Sequence, residues 1–388
     1  MSKIGVGIIG TGNISAYHMD ALNRIPFTEI KVIYDVDSNV ANEKAKKFNI
    51  PKISNNVDEI LADPNIVAVH NCTPNFLHAE ITEKIIKAGK HIFTEKPLAI
   101  NSIESKKLLE LLKNYPDTVA GVNFNYRMNA LVQEMKLKMK NGEIGKPILA
   151  FGSYLQDTAL LDTRYSWFLE KDKVGPSFAI ANIGTHWMDL VQFILDDKIT
   201  DVCADLVTVH KIRKKATPPI DPFNYEESVK RATFEEKKID LDDYGAVLFK
   251  MKGGVHGVFY VSHVSAGRKC YFNIEIDGTE ASMYWNVENA DQMWMGYRNK
   301  QNLQIFRNMF LMPPEIRFTY NTLPPGHTEG WNDAMKNNLS SFYRFILDGK
   351  KLGKDKPDFG TFEDGHYIVK LVETILESSK NGSWQKIE

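Results

Sequence analysis

A glycine-rich turn between a short apolar run and an amphipathic segment is the feature that most limits what this chain can fold into. Residues 4–9 are apolar and residues 10–15 read GTGNIS, after which apolar residues recur at helical spacing. In a strand–turn–helix unit, Gly10 permits the tight turn, and Gly12 lets the backbone approach a pyrophosphate at the helix N-terminus. Ser15 replaces the third glycine of the pattern and is small enough to keep helix and strand close. These residues predict a dinucleotide-binding turn.

An acidic residue supports the same interpretation. Asp35 ends the second predicted strand, 20 residues after Ser15. A carboxylate there can accept hydrogen bonds from both ribose hydroxyls and repels a 2′-phosphate, so NAD is favoured over NADP. The alternative is a Rossmann sheet with a vacant or different nucleotide site, which the agreement of turn, helix start and acidic residue disfavours.

The first third of the chain alternates short β-branched runs with helical patterns. Strands are predicted at residues 4–9, 30–36, 66–71, 91–94 and 119–124, and helices at 14–25, 75–90 and 102–115. This rhythm is typical of an open, right-handed, doubly wound parallel sheet.

Beyond residue 125 strand patterns follow one another directly. Hairpins are predicted for 246–251 with 255–263 and for 271–276 with 281–285, and helices for 187–195 and 363–379. Residues 213–238 are charged and contain proline, so an exposed loop is predicted, and 312–325 is predicted to be irregular. We expect three segments: an NAD(P)-binding Rossmann domain at 1–125, a substrate and oligomerisation α+β domain at 126–362, and a C-terminal helix and tail at 363–388.

Charge and cysteine content exclude several classes of protein. The 388 residues carry 48 Lys and Arg against 49 Asp and Glu, so there is no basic field to attract nucleic acid or a membrane surface. The three cysteines form no C-x-x-C pair, so neither a disulfide framework nor a cysteine zinc site is expected. No histidine pair has metal-ligand spacing, and no targeting or membrane-spanning segment is recognisable. A soluble protein of the cytoplasm without a metal is the expectation.

Four further motifs occur in order along the chain. They are residues 71–78 (NCTPNFLH), 89–97 (GKHIFTEKP), 125–127 (NYR) and 183–189 (IGTHWMD). With them the chain resembles the Gfo/Idh/MocA oxidoreductases, the family of glucose–fructose oxidoreductase and inositol dehydrogenase, over nearly its whole length. Residues 325–331 (PGHTEGW) and 154–157 (YLQD) resemble members that act on sugars.

The resemblance implies the fold class α/β: an N-terminal Rossmann doubly wound parallel sheet plus a C-terminal α+β domain with a large, mainly antiparallel open sheet. In the family that sheet often forms an oligomer interface, so a homodimer or homotetramer is expected. The implied reaction is hydride transfer between a nicotinamide and a carbinol carbon of a sugar, polyol or related ring.

Oxidising an alcohol requires a proton acceptor and a positive group beside the developing alkoxide. Lys96 is the candidate for the positive group. It follows a strand that should end at the ligand-binding edge of the sheet, and in the family its bond to Pro97 is often cis. His186 is the candidate proton-transfer group. Family members often carry an aspartate four residues earlier, where this chain has Asn182, which can bind a hydroxyl but cannot take a proton. Asp189, one turn on, is assigned a structural role.

The remaining candidates are assigned through the resemblance. The residues expected to bind the cofactor are Gly10, Thr11, Gly12, Asn13, Ile14, Asp35, Thr73, Pro74, Asn75, His78, Glu95, Lys96 and Asn125. The residues expected to bind the substrate are Lys96, Tyr154, Asp157, Trp167, Asn182, His186 and His327. For Tyr154 and Trp167 ordinary packing is an equal alternative. No role is assigned to His70, His91, His210 or His263.

Three functions remain open at this point. The first is an NAD(P)-dependent dehydrogenase of a sugar or polyol, with Lys96, His186 and Asn182 in its site. The second is a glycoside-cleaving enzyme that uses bound NAD transiently. The third is a non-catalytic sensor of NAD or sugar, to which Asn182 lends weight and the intact Glu95-Lys96-Pro97 does not.

Overall fold

The computed structural model describes residues 3–221 and 224–387. The chain forms two compact units. The first unit comprises residues 1–140, 290–292 and 306–369, and the second comprises 141–289, 293–305 and 370–388. The first unit therefore extends past the predicted boundary at 125 and takes in a late stretch of the chain that the sequence had grouped with the second domain.

The helices and strands follow in chain order. Up to residue 140 they are β1 (Ile4–Ile9), α1 (Asn13–Asn23), β2 (Thr28–Tyr34), α2 (Ser38–Phe48), α3 (Val57–Ala62), β3 (Ala68–Asn71), α4 (Asn75–Lys87), β4 (His91–Thr94), α5 (Ser102–Leu112), β5 (Ala120–Val122) and α6 (Ala130–Lys140). Next come β6 (Pro147–Leu155), α7 (Lys171–Val174), α8 (Thr185–Leu195), β7 (Ile199–Val207), β8 (Ile212–Thr217), α9 (Tyr225–Arg231), β9 (Thr233–Lys238), β10 (Tyr244–Met251), β11 (His256–Ser262), β12 (Tyr271–Gly278), β13 (Ala281–Asn286), β14 (Gln292–Tyr297) and β15 (Leu303–Phe306). The last are α10 (Pro314–Arg317), α11 (Trp331–Leu347), β16 (Gly360–Thr361), α12 (Phe362–Asn381) and β17 (Gln385–Lys386).

The first unit contains the predicted parallel sheet. Within the described residues its six strands lie in the order β16-β5-β4-β3-β1-β2, and only β16 runs antiparallel to its neighbour. The chain passes from β1 to β2 on one side and returns to β3 on the other. Ligands of such sheets bind beyond the carboxyl ends of the strands where this reversal occurs, which here are the ends of β1 and β3.

Helices α2, α3, α6, α10 and α11 of this unit were not predicted, and the reason is visible in α2 and α3. In α2 only Ala41 and Ala45 are buried, so its apolar stripe is too thin to produce a helical pattern in the sequence. Helix α3 has six residues and buries only Ile60. Both helices begin instead with a side-chain cap, because Asp37 and Asn56 each accept a hydrogen bond from a backbone N–H of the first turn.

The second unit contains the predicted open sheet. Within the described residues nine strands lie in the order β15-β14-β13-β12-β6-β11-β10-β7-β17, and β6 with β11 is a parallel pair in an otherwise mainly antiparallel arrangement. Helix α8 packs on this sheet through Trp187, which is fully buried and stacks on Phe259 with ring centroids 4.7 Å apart. Its indole N–H donates to the carbonyl of Asn273 at 3.0 Å, which fixes α8 against the sheet.

The prediction of an exposed loop at residues 213–238 is wrong. Strands β8 and β9 pair antiparallel there, with α9 between them. In their register, lysines of β8 lie opposite glutamates of β9, so charges of opposite sign face each other across the two strands. Arg213 is fully buried and pairs with Asp243 at 2.6 Å. A charged residue can lie in a buried position of this strand because it has a partner of opposite charge.

Within the described ranges, no helix combines the length and the apolar character needed to cross a membrane.

Candidate functional site

The turn after β1 has the backbone that the glycine pattern predicts. Gly10 has φ +87°, and a Cβ there would lie 2.6 Å from the carbonyl oxygen of Cys72, so only glycine fits. A Cβ on Gly12 would meet no atom within 4 Å, which leaves open space in front of the helix. No side chain caps the start of α1. Its first N–H groups can therefore bind an anion such as a pyrophosphate.

Asp35 lies directly after β2 and is fixed against this turn. Its Oδ2 accepts from the backbone N–H of Thr11 at 2.6 Å and from the Thr11 hydroxyl at 3.0 Å. Its Oδ1 accepts from the N–H of Asp37 at 3.0 Å. The carboxylate is therefore held in one orientation beside the glycine turn, where it can accept from ribose hydroxyls.

The loops after β3 and β5 supply further predicted cofactor residues. The hydroxyl of Thr73 donates to Oδ1 of Asn71 at 2.7 Å, and Pro74 and Asn75 form the start of α4. Asn125 is buried, and neither atom of its amide has a hydrogen-bond partner within the described residues. A buried amide with this free capacity can bind a group that both donates and accepts, and a nicotinamide ribose and carboxamide offer both. The residues present therefore fit NAD.

Glu95, which is buried, and Lys96, which is half-buried, follow β4. Oε1 of Glu95 accepts from Nε2 of His18 at 2.8 Å and from the amide of Asn123 at 2.6 Å, and Oε2 accepts from the backbone N–H of Lys96 at 3.2 Å. Burial alone would raise the pKa of Glu95, but these hydrogen bonds and the charge of Lys96 lower it to about 2. Burial lowers the pKa of Lys96 to about 8, although the Glu95 charge opposes this. The peptide bond between Lys96 and Pro97 is cis.

His78 joins two of these loops. Its Nδ1 lies 2.6 Å from the carbonyl oxygen of Pro97, and its Nε2 lies 2.8 Å from that of Thr73. Only 1% of the residue is exposed. Since both ring nitrogens contact backbone carbonyls, His78 holds the loops after β3 and β4 at a fixed separation.

The second unit supplies His186 and Asn182. Asn182 lies in a π-helical turn, Ile180–Gly184, that continues into α8, and π-helical turns are frequent at functional sites. His186 is four residues further on, so the two side chains project from the same face. The ring centroids of His186 and of Tyr154, a predicted substrate residue, lie 6.3 Å apart.

His263 was missed by the sequence analysis. It follows β11, and its Nε2 lies 3.2 Å from Nδ2 of Asn182. Its Nδ1 lies 2.8 Å from the hydroxyl of Thr158. The available signal was its position at the end of a predicted strand, but the pairing that brings this strand end beside Asn182 depends on the sheet order.

The other predicted substrate residues lie in different surroundings. Asp157 accepts from Nζ of Lys269 at 2.5 Å, and that hydrogen bond lowers the pKa of Asp157. Trp167 stacks on Phe168 with ring centroids 4.0 Å apart and packs against a buried cluster around Phe178. His327 belongs to the first unit and is exposed, on a segment whose backbone is held by Arg307. Among residues 3–221 and 224–387, no three His, Cys, Asp or Glu side chains form a group that could hold a metal ion.

Comparison with known proteins gives a consistent result. The family model described as "Oxidoreductase family, NAD-binding Rossmann fold" matches residues 4–124, and that of the GFO/IDH/MocA C-terminal domain matches residues 132–284. A levoglucosan dehydrogenase of Pseudarthrobacter phenanthrenivorans is 29% identical over 99% of this chain and 98% of its own length. A glucose-6-phosphate 3-dehydrogenase of Bacillus subtilis is 24% identical over 97% of this chain and 96% of its own. A solved levoglucosan dehydrogenase in complex with NADH and levoglucosan is 26% identical and covers 100% of both chains with a TM-score of 0.86.

Proposed function

Because the chain belongs to the Gfo/Idh/MocA oxidoreductase family, we propose that it is an NAD-dependent dehydrogenase that oxidises a carbinol carbon of a sugar, polyol or related ring compound. One observation carries the proposal most directly: Lys96 is a half-buried cation that follows the anionic Glu95 at the ligand-binding edge of the parallel sheet, and burial lowers its pKa to about 8. A half-buried charge of this kind is costly, and enzymes use such charges where a negative charge develops in the reaction.

Each residue of the cofactor site has a distinct task. The N–H groups at the start of α1, behind Gly12, bind the pyrophosphate, and Asp35 binds the adenosine ribose. The loop at Thr73 and the amide of Asn125 hold the nicotinamide end. His78, also a predicted cofactor residue, positions the loops after β3 and β4. NAD held by these residues would supply the acceptor for the hydride that leaves the carbinol carbon.

The remaining chemistry is proton transfer and charge stabilisation. We assign His186 the role of accepting the proton of the substrate hydroxyl as the C–H bond breaks. Lys96 stabilises the alkoxide that develops on the oxygen, and Asn182 binds a hydroxyl. Four further residues remain predicted to bind the substrate: Tyr154, Asp157, Trp167 and His327. Asp157 has to break its ion pair with Lys269 before it can bind a substrate hydroxyl.

The direct test is formation of NADH, followed at 340 nm, with NAD and then NADP, across sugars, polyols, sugar acids and glycosides. We expect turnover with NAD and its loss in Lys96→Ala, with Lys84→Ala as the control because Lys84 is an exposed helix-surface lysine paired with Glu80. Glycoside cleavage without net NADH would instead identify the transient-redox enzyme. Cofactor binding without turnover of any compound would identify a sensor.

We further propose that the protein is a homodimer or homotetramer that works in the cytoplasm. The open face of the second-unit sheet presents Leu149, Leu248, Val258 and Tyr260, which are between 38% and 48% exposed. A row of exposed apolar side chains on neighbouring strands is typical of an interface. Three free thiols suit a reducing compartment. Light scattering of wild type and Leu248→Lys tests the assembly, and a monomeric wild type would contradict it.

A further inference from the structure

A cavity of about 290 Å³ in the second unit opens beside Asn182 and His263. Its wall also includes Gln156, Thr158 and Arg164. The volume is at the small end of the range for ligand sites and suits a monosaccharide-sized compound. The mechanism proposed above uses only Asn182 of these residues.

The floor of the cavity is polar and rigid. His263 is 1% exposed and stacks on Phe178 with ring centroids 4.2 Å apart. Its two ring nitrogens lie 2.8 Å from the Thr158 hydroxyl and 3.2 Å from the Asn182 amide. These groups can exchange hydrogen bonds with substrate hydroxyls, and Asn182 brings no negative charge into the cavity.

Two cations, Arg164 and Lys215, lie at or near the wall of the cavity. Arg164 lines this cavity and also a neighbouring one of about 200 Å³, to which Lys215 contributes. Within the part of the chain that the structure describes, neither cation has a carboxylate oxygen within 4.0 Å.

The acidic residues nearby are already paired with other lysines. Glu170 pairs with Lys173 at 2.5 Å, Asp162 with Lys214 at 2.7 Å, and Glu235 with Lys237 at 2.5 Å. Arg164 therefore has no carboxylate of its own among the described residues, and it borders a cavity large enough for a sugar.

We infer that the substrate is an anionic sugar or polyol, which carries a carboxylate or a phosphate that Arg164 binds while Asn182 and His263 bind ring hydroxyls. A guanidinium presents donors in a fork that matches both anions. Lys215 adds to the local positive potential without being required to touch the ligand. The inference rests on the proposed function, since it names the class of substrate for that reaction.

The experiment compares matched neutral and anionic substrates at saturating NAD. The pairs are glucose with glucuronate and with glucose 6-phosphate, and galactose with galacturonate and with galactose 6-phosphate. We expect kcat/KM to be at least about tenfold higher for an anionic member, and the uronate and phosphate arms show which anion is used. In Arg164→Gln we expect that value to fall about 10- to 100-fold, mainly through KM, with the KM for NAD unchanged.

Lys84→Gln is the control, because it removes one positive charge at an exposed helix-surface lysine that does not line the cavity. We expect it to leave the kinetics unchanged. Arg164→Gln itself removes a partly exposed side chain that has no ion-pair partner among the described residues, so we expect its melting temperature to match wild type.

A neutral sugar that is oxidised as well as its anionic counterpart, or an Arg164→Gln enzyme with unchanged KM, would overturn the inference and leave the dehydrogenase intact. A binding measurement tests the inference in the case where the proposed dehydrogenase function itself fails. If no compound yields NADH, the proposed function fails. The inference then stands only if, with NAD present, glucuronate or glucose 6-phosphate raises the melting temperature of wild type but not of Arg164→Gln, and it is overturned if neither does.

Discussion

Nε2 of His18 lies 2.8 Å from Oε1 of Glu95, so the first helix after the glycine turn holds the carboxylate that precedes Lys96. The contact continues inward, because Nδ1 of His18 lies 2.7 Å from Nδ1 of His70, and Nε2 of His70 lies 2.8 Å from the hydroxyl of Tyr343. All four side chains are buried. The sequence analysis gave neither His18 nor His70 a role.

Burial holds the pKa of His70 well below its usual value and that of Tyr343 well above, so His70 is neutral and Tyr343 keeps its proton. Two arrangements of the hydrogens satisfy the contacts. In one, Tyr343 donates to Nε2 of His70 and Nδ1–H of His70 donates to His18; in the other, Nδ1–H of His18 donates to His70 and Nε2–H of His70 donates to Tyr343. In both, Nε2–H of His18 donates to Glu95. This series of hydrogen bonds ends on the carboxylate of Glu95 and stabilises it as an anion.

We expect His18→Ala to destabilise the protein by about 3 kcal/mol, because the buried Glu95 charge loses a donor and Nδ1 of His70 loses its hydrogen-bond partner. The free energy of unfolding in urea measures this. Asn23→Ala, at an exposed position of the same helix, is the control and should change stability by less than about 0.5 kcal/mol. An equal effect of the two substitutions would show that the chain is energetically unimportant.

Stability should fall in acid through Glu95. Its folded pKa of about 2 lies below the ordinary value of 4.5, so the folded state binds the proton less tightly than the unfolded state. This contribution to stability is complete above pH 4.5 and disappears as the pH falls towards 2. Glu95→Gln should be less stable than wild type at neutral pH, and the difference should shrink across that window. A difference that is constant with pH would contradict the assignment.

Lys96 should make sugar oxidation fail in alkaline solution. Its pKa of about 8 means that the cation needed to stabilise the alkoxide is lost as the pH rises through 8, so kcat/KM should then fall about tenfold per pH unit. Lys96→Arg stays protonated throughout, so its residual activity should lack this decline. Lys96→Met should lose activity by a factor on the order of 100 or more at neutral pH. A decline that survives in Lys96→Arg would assign the titration to another group.

Asp35 should determine the choice of NAD. Asp35→Asn keeps an oxygen that can accept from Thr11 but removes the charge that repels a 2′-phosphate, so we expect the KM for NADP to fall while the melting temperature is retained. Val36 is 88% exposed beside it, and the double variant Asp35→Ser with Val36→Arg should favour NADP further. The ratio of kcat/KM for the two cofactors is the measurement. An unchanged ratio in both variants would place the discrimination elsewhere.

The sequence predicted those parts of the fold and site whose signals are local. The turn at Gly10 and the strand that ends before Asp35 depend on a few adjacent residues, and the Glu95-Lys96-Pro97 motif is recognisable as a short string. The hydrogen-bonded series from Tyr343 to Glu95 depends on residues far apart in the sequence. Tyr343 and His70 are 273 positions apart, and His18 and Glu95 are 77 apart, so no spacing rule relates them. His263 comes beside Asn182 only through the order of the strands.

The clearest failure of the sequence analysis, the segment 213–238, leads to a last prediction. Arg213 is fully buried, where its guanidinium donates to Asp243 at 2.6 Å and to the carbonyl of Ala159 at 2.8 Å. Arg213→Met would leave Asp243 as a buried charge without its cation, which should cost about 3–5 kcal/mol of unfolding free energy. Lys214→Gln, which breaks a half-exposed pair on the next residue, should cost less than about 1 kcal/mol.

The same substitution should also affect the cavity lined by Arg164. Arg213 holds the backbone at Ala159 and Leu161, which lead directly into the segment that carries Arg164. At a temperature where Arg213→Met is still folded, its KM for an anionic substrate should therefore rise while its KM for NAD does not. If urea unfolding shows that Arg213→Met is as stable as Lys214→Gln, the buried pair does not anchor this segment, and no change in KM is expected.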